Sequence, residues 1–162
     1  MRSTFSLTSY LKGRQMISLT KTLKYFIFAS VVLAAFLAFG NASAAMQDSV
    51  TVTLDGAHEV PSNASTATGS GTLTFAADKS VSGNLTTKGI DGTMAHIHEA
   101  AAGKNGPVIV KLSKSGADTW SVPPGTKLTD AQYASYKAGN LYVNVHSATI
   151  PGGEIRGQLM PK

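Results

Sequence analysis

From Val50 onward the chain alternates apolar and polar residues in short bursts, and each burst ends near Gly, Asn, Asp or Pro. A period of two puts every second side chain on one face, which marks a half-buried strand and not a helix. Val50, Val52 and Leu54 form one such row, and Leu73 and Phe75 belong to another. Val81 to Thr87, Met94 to His98, Pro107 to Leu112, Leu141 to His146 and Glu154 to Met160 continue the series. Many short strands with closely spaced turn residues predict an all-β sandwich or barrel. One short helix is predicted near Thr129 to Ala138, because Thr129 and Gln132 have capping-box spacing and Gly139 is a natural stop. That helix is expected to cross between sheets before the last two strands. Trp120 is expected to plug one end of the core, with its ring nitrogen bonded to a carbonyl.

The 162 residues carry a formal net charge of +5 and no cysteine. The charge is local: Arg2, Lys12, Arg14, Lys21 and Lys24 precede Ala44 without a single acid, and beyond Ala44 basic and acidic groups balance. Lys21 and Lys24 lead into an apolar run from Tyr25 to Phe39, followed by Gly40 and the small residues Ala42-Ser43-Ala44. This order is that of a secretory signal peptide, with cleavage expected after Ala44. The apolar run is shorter than the ~20 residues that span a bilayer. A start at Met16 would bring the leader within the usual length of about 15–30 residues. No cysteine follows the run, which excludes a lipid-anchored lipoprotein. The expectation is a signal peptide over residues 1–44 and one periplasmic or secreted domain over 45–162, with no membrane association after cleavage. Zero net charge in that domain argues against nucleic acid as a partner. Its few aromatics, Phe75, Trp120, Tyr133, Tyr136 and Tyr142, are too sparse for a stacking platform.

The chemistry-bearing residues are the histidines. Gly-x-Ser-x-Gly is absent, cysteine is absent, and no phosphate-cradling glycine loop is present. In MAHIHE, His96 and His98 are two apart and project from one strand face with Met94, while Ala95 and Ile97 turn to the core. In LYVNVH, Leu141, Val143 and Val145 face inward, and Tyr142, Asn144 and His146 face the other way. If the two strands are neighbours, three imidazoles converge. Three neutral imidazoles with an open position suit Zn(II) or Cu(II), and a thioether from Met94 would favour Cu(I). Histidines at i and i+2 also arise as solvated surface residues, so spacing alone leaves both readings open. His58, in GAHEVP, is either a fourth ligand or a loop histidine. Glu154 and Arg156 share a face in GGEIRGQL, where Arg156 either steers an anion toward the metal or takes part in a clamp between strands, with Glu59 as a partner.

With these segments in order, the chain resembles a CHRD domain, the module named from chordin and also found in exported bacterial proteins. LDGAHEVP, MAHIHEAAAGKNGPVIVKL, LTDAQYASYKAGNLYVNVHS and PGGEIRGQL carry the resemblance over about residues 50–160. The family is similar in fold to copper–zinc superoxide dismutase, which implies a Greek-key β-barrel. In that enzyme a His-x-His pair and a late histidine bind copper, and His96, His98 and His146 match those places. The chain has no evident counterpart to the bridging histidine, no zinc-binding cluster after it and no cysteine for the disulfide, which counts against dismutase activity. The leading expectation is a metal-binding or metal-handling protein holding copper, or alternatively zinc, on His96, His98 and His146. A non-catalytic interaction module with structural histidines, binding a protein partner through a sheet edge or the AAAGKNG loop, is the alternative. A superoxide dismutase-like redox enzyme is the second alternative.

Overall fold

Alternation becomes strand register in residues 47–162, the part of the chain that the computed structural model describes. The leader expected over residues 1–44 lies outside the described residues. Nine strands form: β1 (Gln47–Asp55), β2 (Thr68–Ala76), β3 (Val81–Lys88), β4 (Gly92–Glu99) and β5 (Val108–Lys111) come first. They are followed by β6 (Ser113–Lys114), β7 (Thr119–Ser121), β8 (Leu141–Ser147) and β9 (Ile155–Leu159). Among the described residues, one turn of 3-10 helix covers Gly56–His58, and one α-helix, α1, covers Asp130–Lys137. Among the described residues no helix is long and apolar enough to cross a membrane.

The strands pair in the order β5-β4-β8-β9-β1-β2-β3-β7-β6, and every pair is antiparallel. The two ends of that order, β5 and β6, are separated in the chain by Leu112 alone. Leu112 donates its N–H to the Ala95 carbonyl of β4 (2.9 Å), while β6 pairs with β7. The sheet thus curls into a nearly closed barrel, the arrangement that leaves fewest exposed strand edges. The chain reaches β4 from β3 by crossing to the far side, so β3 ends up beside β7 in a Greek-key arrangement.

The apolar rows predicted from the alternation fill the interior. Val50, Val52 and Leu54 meet Leu73 and Phe75, and Leu141, Val143 and Val145 meet Ala95 and Ile97, all buried. Helix α1 lies between β7 and β8 in the chain and carries the expected capping box of Thr129 and Gln132. Gly139 follows it at φ 72°, where a side chain would be strained. Tyr136 ties the helix down: its ring stacks on Phe75 at 3.8 Å between centroids, and its hydroxyl donates to Asp48 Oδ2 at 2.6 Å.

Two expectations need correction. Trp120 is buried, but on the short strand β7, and its ring nitrogen has no hydrogen-bond partner in the protein. Packing of the indole body outweighs satisfaction of its single donor there. The last strand begins at Ile155, not Glu154, because Glu154 lies in the bend before it and donates its N–H to the Val145 carbonyl.

Candidate metal centre

Strands β4 and β8 are neighbours, with Met94 opposite His146, His96 opposite Asn144 and His98 opposite Tyr142. Directly opposite residues share a face, so His96, His98 and His146 project together. Nitrogen atoms from the three rings all lie within 4.8 Å of one another. His96 Nδ1 is 3.0 Å from His146 Nε2. A shared ion held at about 2.0–2.1 Å by each nitrogen needs separations of no more than about 4.2 Å. At 4.8 Å or less the three nitrogens lie close to that limit, so the side chains are gathered on the scale of a single ion, which would replace the His96–His146 hydrogen bond.

The hydrogen bonds around the rings fix where their protons sit. His98 Nδ1 is 2.9 Å from the Gly106 carbonyl, and His146 Nδ1 is 2.9 Å from the Pro151 carbonyl. A carbonyl only accepts, so each Nδ1 carries the hydrogen and each Nε2 holds a lone pair. His146 Nε2 then accepts from His96 Nδ1, which leaves the lone pair of His96 on Nε2. His98 Nε2 is buried and has no partner in the protein. Outer bonds to backbone carbonyls are the usual means of orienting a ligating imidazole. Burial, reinforced by His146, His98 and Lys111, pushes the His96 imidazole down to about 4. Burial likewise lowers His98, against the opposing pull of the Gly106 carbonyl. Both rings are therefore neutral, the form that binds metal, at physiological pH.

Alternation suggests that the outer face of β8 is solvated, yet every residue of β8 is buried. The cover comes from loops. Arg156 is 1 % exposed; its guanidinium donates to the Lys104 carbonyl (2.7 Å) and Asn105 Oδ1 (3.1 Å). It also lies 3.3 Å from the centre of the Tyr142 ring, which stacks on the His98 ring at 4.8 Å. The Tyr142 hydroxyl accepts the Gly106 N–H, so Gly106 contacts both rings of this stack. Gly106 has to be glycine: a Cβ would sit 1.9 Å from the Glu99 carbonyl oxygen. Asn105 reaches on to the Val60 carbonyl at 2.8 Å, joining this loop to the β1–β2 connection.

That connection brings Glu59, whose carboxyl is buried and pushed above the usual carboxylate range by loss of water, with Arg156 acting in the opposite direction. Glu59 Oε1 and Asn144 Nδ2 converge on Gly153, where a Cβ would lie 2.6 and 2.7 Å from them. Arg156 thus forms a clamp between a strand and a loop, with carbonyl and amide oxygens as its hydrogen-bond acceptors. Glu154 clamps separately, accepting from Ser65 Oγ at 2.7 Å and from Ser147 Oγ. His58 stands apart from the cluster, exposed, with Nδ1 2.6 Å from Asp55 Oδ1. Met94 lies at the open side of the histidine face, 47 % exposed. Gly106 and Pro151 escaped the sequence reading because they act through backbone oxygens, which leave no residue-type signal.

Comparison with curated proteins and with solved structures finds no match. A family model does match: the CHRD domain, over residues 50–159, which takes in β2 to β9, most of β1 and both loops that build the centre. The chain belongs to the CHRD domain family.

Proposed function

We propose that this CHRD domain binds one copper ion, or alternatively zinc, through His96, His98 and His146, and serves in metal binding or metal handling. We assign it to the periplasm or the cell exterior on the strength of its basic, apolar and small-residue leader. The observation that carries the reading is the gathering of one nitrogen from each of His96, His98 and His146 within 4.8 Å, with His98 Nε2 buried among them. A buried polar atom left unsatisfied costs about 1–3 kcal/mol, and a metal ion relieves that cost. The convergence of three imidazoles on one covered face, with that nitrogen among them, favours a ligand role over the interaction-module alternative.

Copper held there would supply one-electron chemistry, but the surrounding side chains favour storage or transfer over catalysis. Arg156, the group placed to attract a small anion, is 1 % exposed and committed to Lys104 and Asn105. Calorimetric titration of the purified protein with Cu(II) and Zn(II) tests the proposal. The wild type should bind one equivalent, and the His96→Ala/His98→Ala variant should lose that binding. Equally weak binding by both proteins would end it.

A further inference from the structure

We infer that Met94 provides a thioether to the same ion and that the site takes copper as Cu(I). This rests on the three-histidine reading and adds an oxidation state and a fourth ligand. Met94 lies two residues before His96 on β4, which puts both side chains on one face. Across the strand pair it stands directly opposite His146. Its backbone position therefore flanks two of the three imidazoles at once, on the side away from the Gly106 loop.

Exposure sets Met94 apart from its neighbours. The three histidines are 7–9 % exposed, whereas Met94 is 47 % exposed. Its side chain is not committed to the core, so it is available at the edge of the histidine face. The chain has no cysteine, so methionine is its only soft donor. The other methionine of the described residues, Met160, lies beyond β9 with its sulfur near Gly139, after helix α1. Met94 alone has its place beside the imidazoles.

Charge points the same way. The cluster that gathers the imidazoles includes no carboxylate. Lys111 stands opposite His96 on β5, and both Lys111 and Arg156 act on the imidazoles as positive charges. Repulsion grows with the charge of the incoming ion, so a monovalent ion meets half the opposition that a divalent one does. Neutral nitrogen donors with a thioether and no anionic ligand match Cu(I) better than Zn(II) or Cu(II).

The test is an anaerobic competition titration of Cu(I) against a chromophoric Cu(I) chelator, with a parallel Zn(II) titration, on wild type and Met94→Leu. Leucine keeps the size and removes the sulfur, at an exposed position where folding is not at stake. The variant should lose about tenfold or more in Cu(I) affinity while Zn(II) affinity is unchanged. X-ray absorption of the Cu(I) form should show a sulfur neighbour in wild type that is missing in the variant. Unchanged Cu(I) affinity, or a parallel fall for both ions, overturns the role of Met94 and leaves the histidine site standing. A wild type that binds neither ion overturns the histidine site and this inference together.

Discussion

Three imidazoles within reach of one another must divide their protons, and two backbone carbonyls decide the division here. Because Gly106 and Pro151 take the Nδ1 hydrogens of His98 and His146, the Nε2 atoms are left as donors of electron pairs. His96 protonates at about 4 instead of 6.5. Between those values the unfolded chain takes up a proton that the folded chain refuses. Stability of the metal-free protein should therefore hold above about pH 6.5 and fall as the pH drops toward 4. Urea titrations across that range should show the decline in wild type and a flatter profile in His96→Asn; parallel profiles would remove His96 as the cause. The His-x-His pair and the late histidine were legible as residue types at strand spacing. Their orientation was not, since it depends on main-chain oxygens that any sequence supplies.

Elements were legible to the degree that they are long. β1, β2, β3, β4 and β8 announce themselves by alternation, and α1 by its cap and stop. β6 and β7, two and three residues long, are too short to show a period. The covering loop between β4 and β5 carried no strand or helix signal at all, yet it decides whether the histidine face is wet or dry. Gly106→Ala should displace that loop, because the new Cβ meets the Glu99 carbonyl oxygen at 1.9 Å. Release of the His98 bond should then weaken metal affinity roughly 10–100-fold, the usual range for loss of an outer partner. Limited proteolysis should cut the variant near Lys104 while the wild type resists; equal resistance would show that the loop absorbs the methyl group. At the helix, Thr129→Ala removes the side-chain oxygen that accepts from Gln132 N. A loss of about 1 kcal/mol in denaturant titrations is the expected result, with metal affinity untouched.

At the scale of the whole molecule, a cysteine-free domain is held by its core and by the ladder hydrogen bonds of a nearly closed sheet. Its class was legible from strand number and turn spacing. Its strand order was not, because β4 beside β8 and β1 beside β9 are pairings between distant segments that local pattern cannot assign. The centre draws on both β4 and β8, so a bound ion cross-links segments about fifty residues apart in the chain. An ion that binds only the folded form adds about 2.7 kcal/mol at a hundredfold excess over its dissociation constant. For a domain of this size the melting temperature should rise by on the order of 10 °C, and chelation should reverse the shift. An unchanged melting temperature at saturation would mean that the ion binds the unfolded chain as well as the folded one.

The single-residue joint at Leu112 bears on how such a barrel moves. β5 leaves the β4 ladder there, and the chain passes to a two-residue pairing with β7. A cylinder with one weakly stitched line opens along that line first, as an expansion joint does. All three imidazoles sit on β4 and β8, whose ladder runs from Gly92 to Glu99 on one side of the joint. Thermal breathing can then part β6 from β7 without stretching the distance between His96 and His146. Amide hydrogen exchange should be fast in Ser113 to Gly116 and slow in β4 and β8, so that the barrel flexes while the ligand geometry keeps its shape.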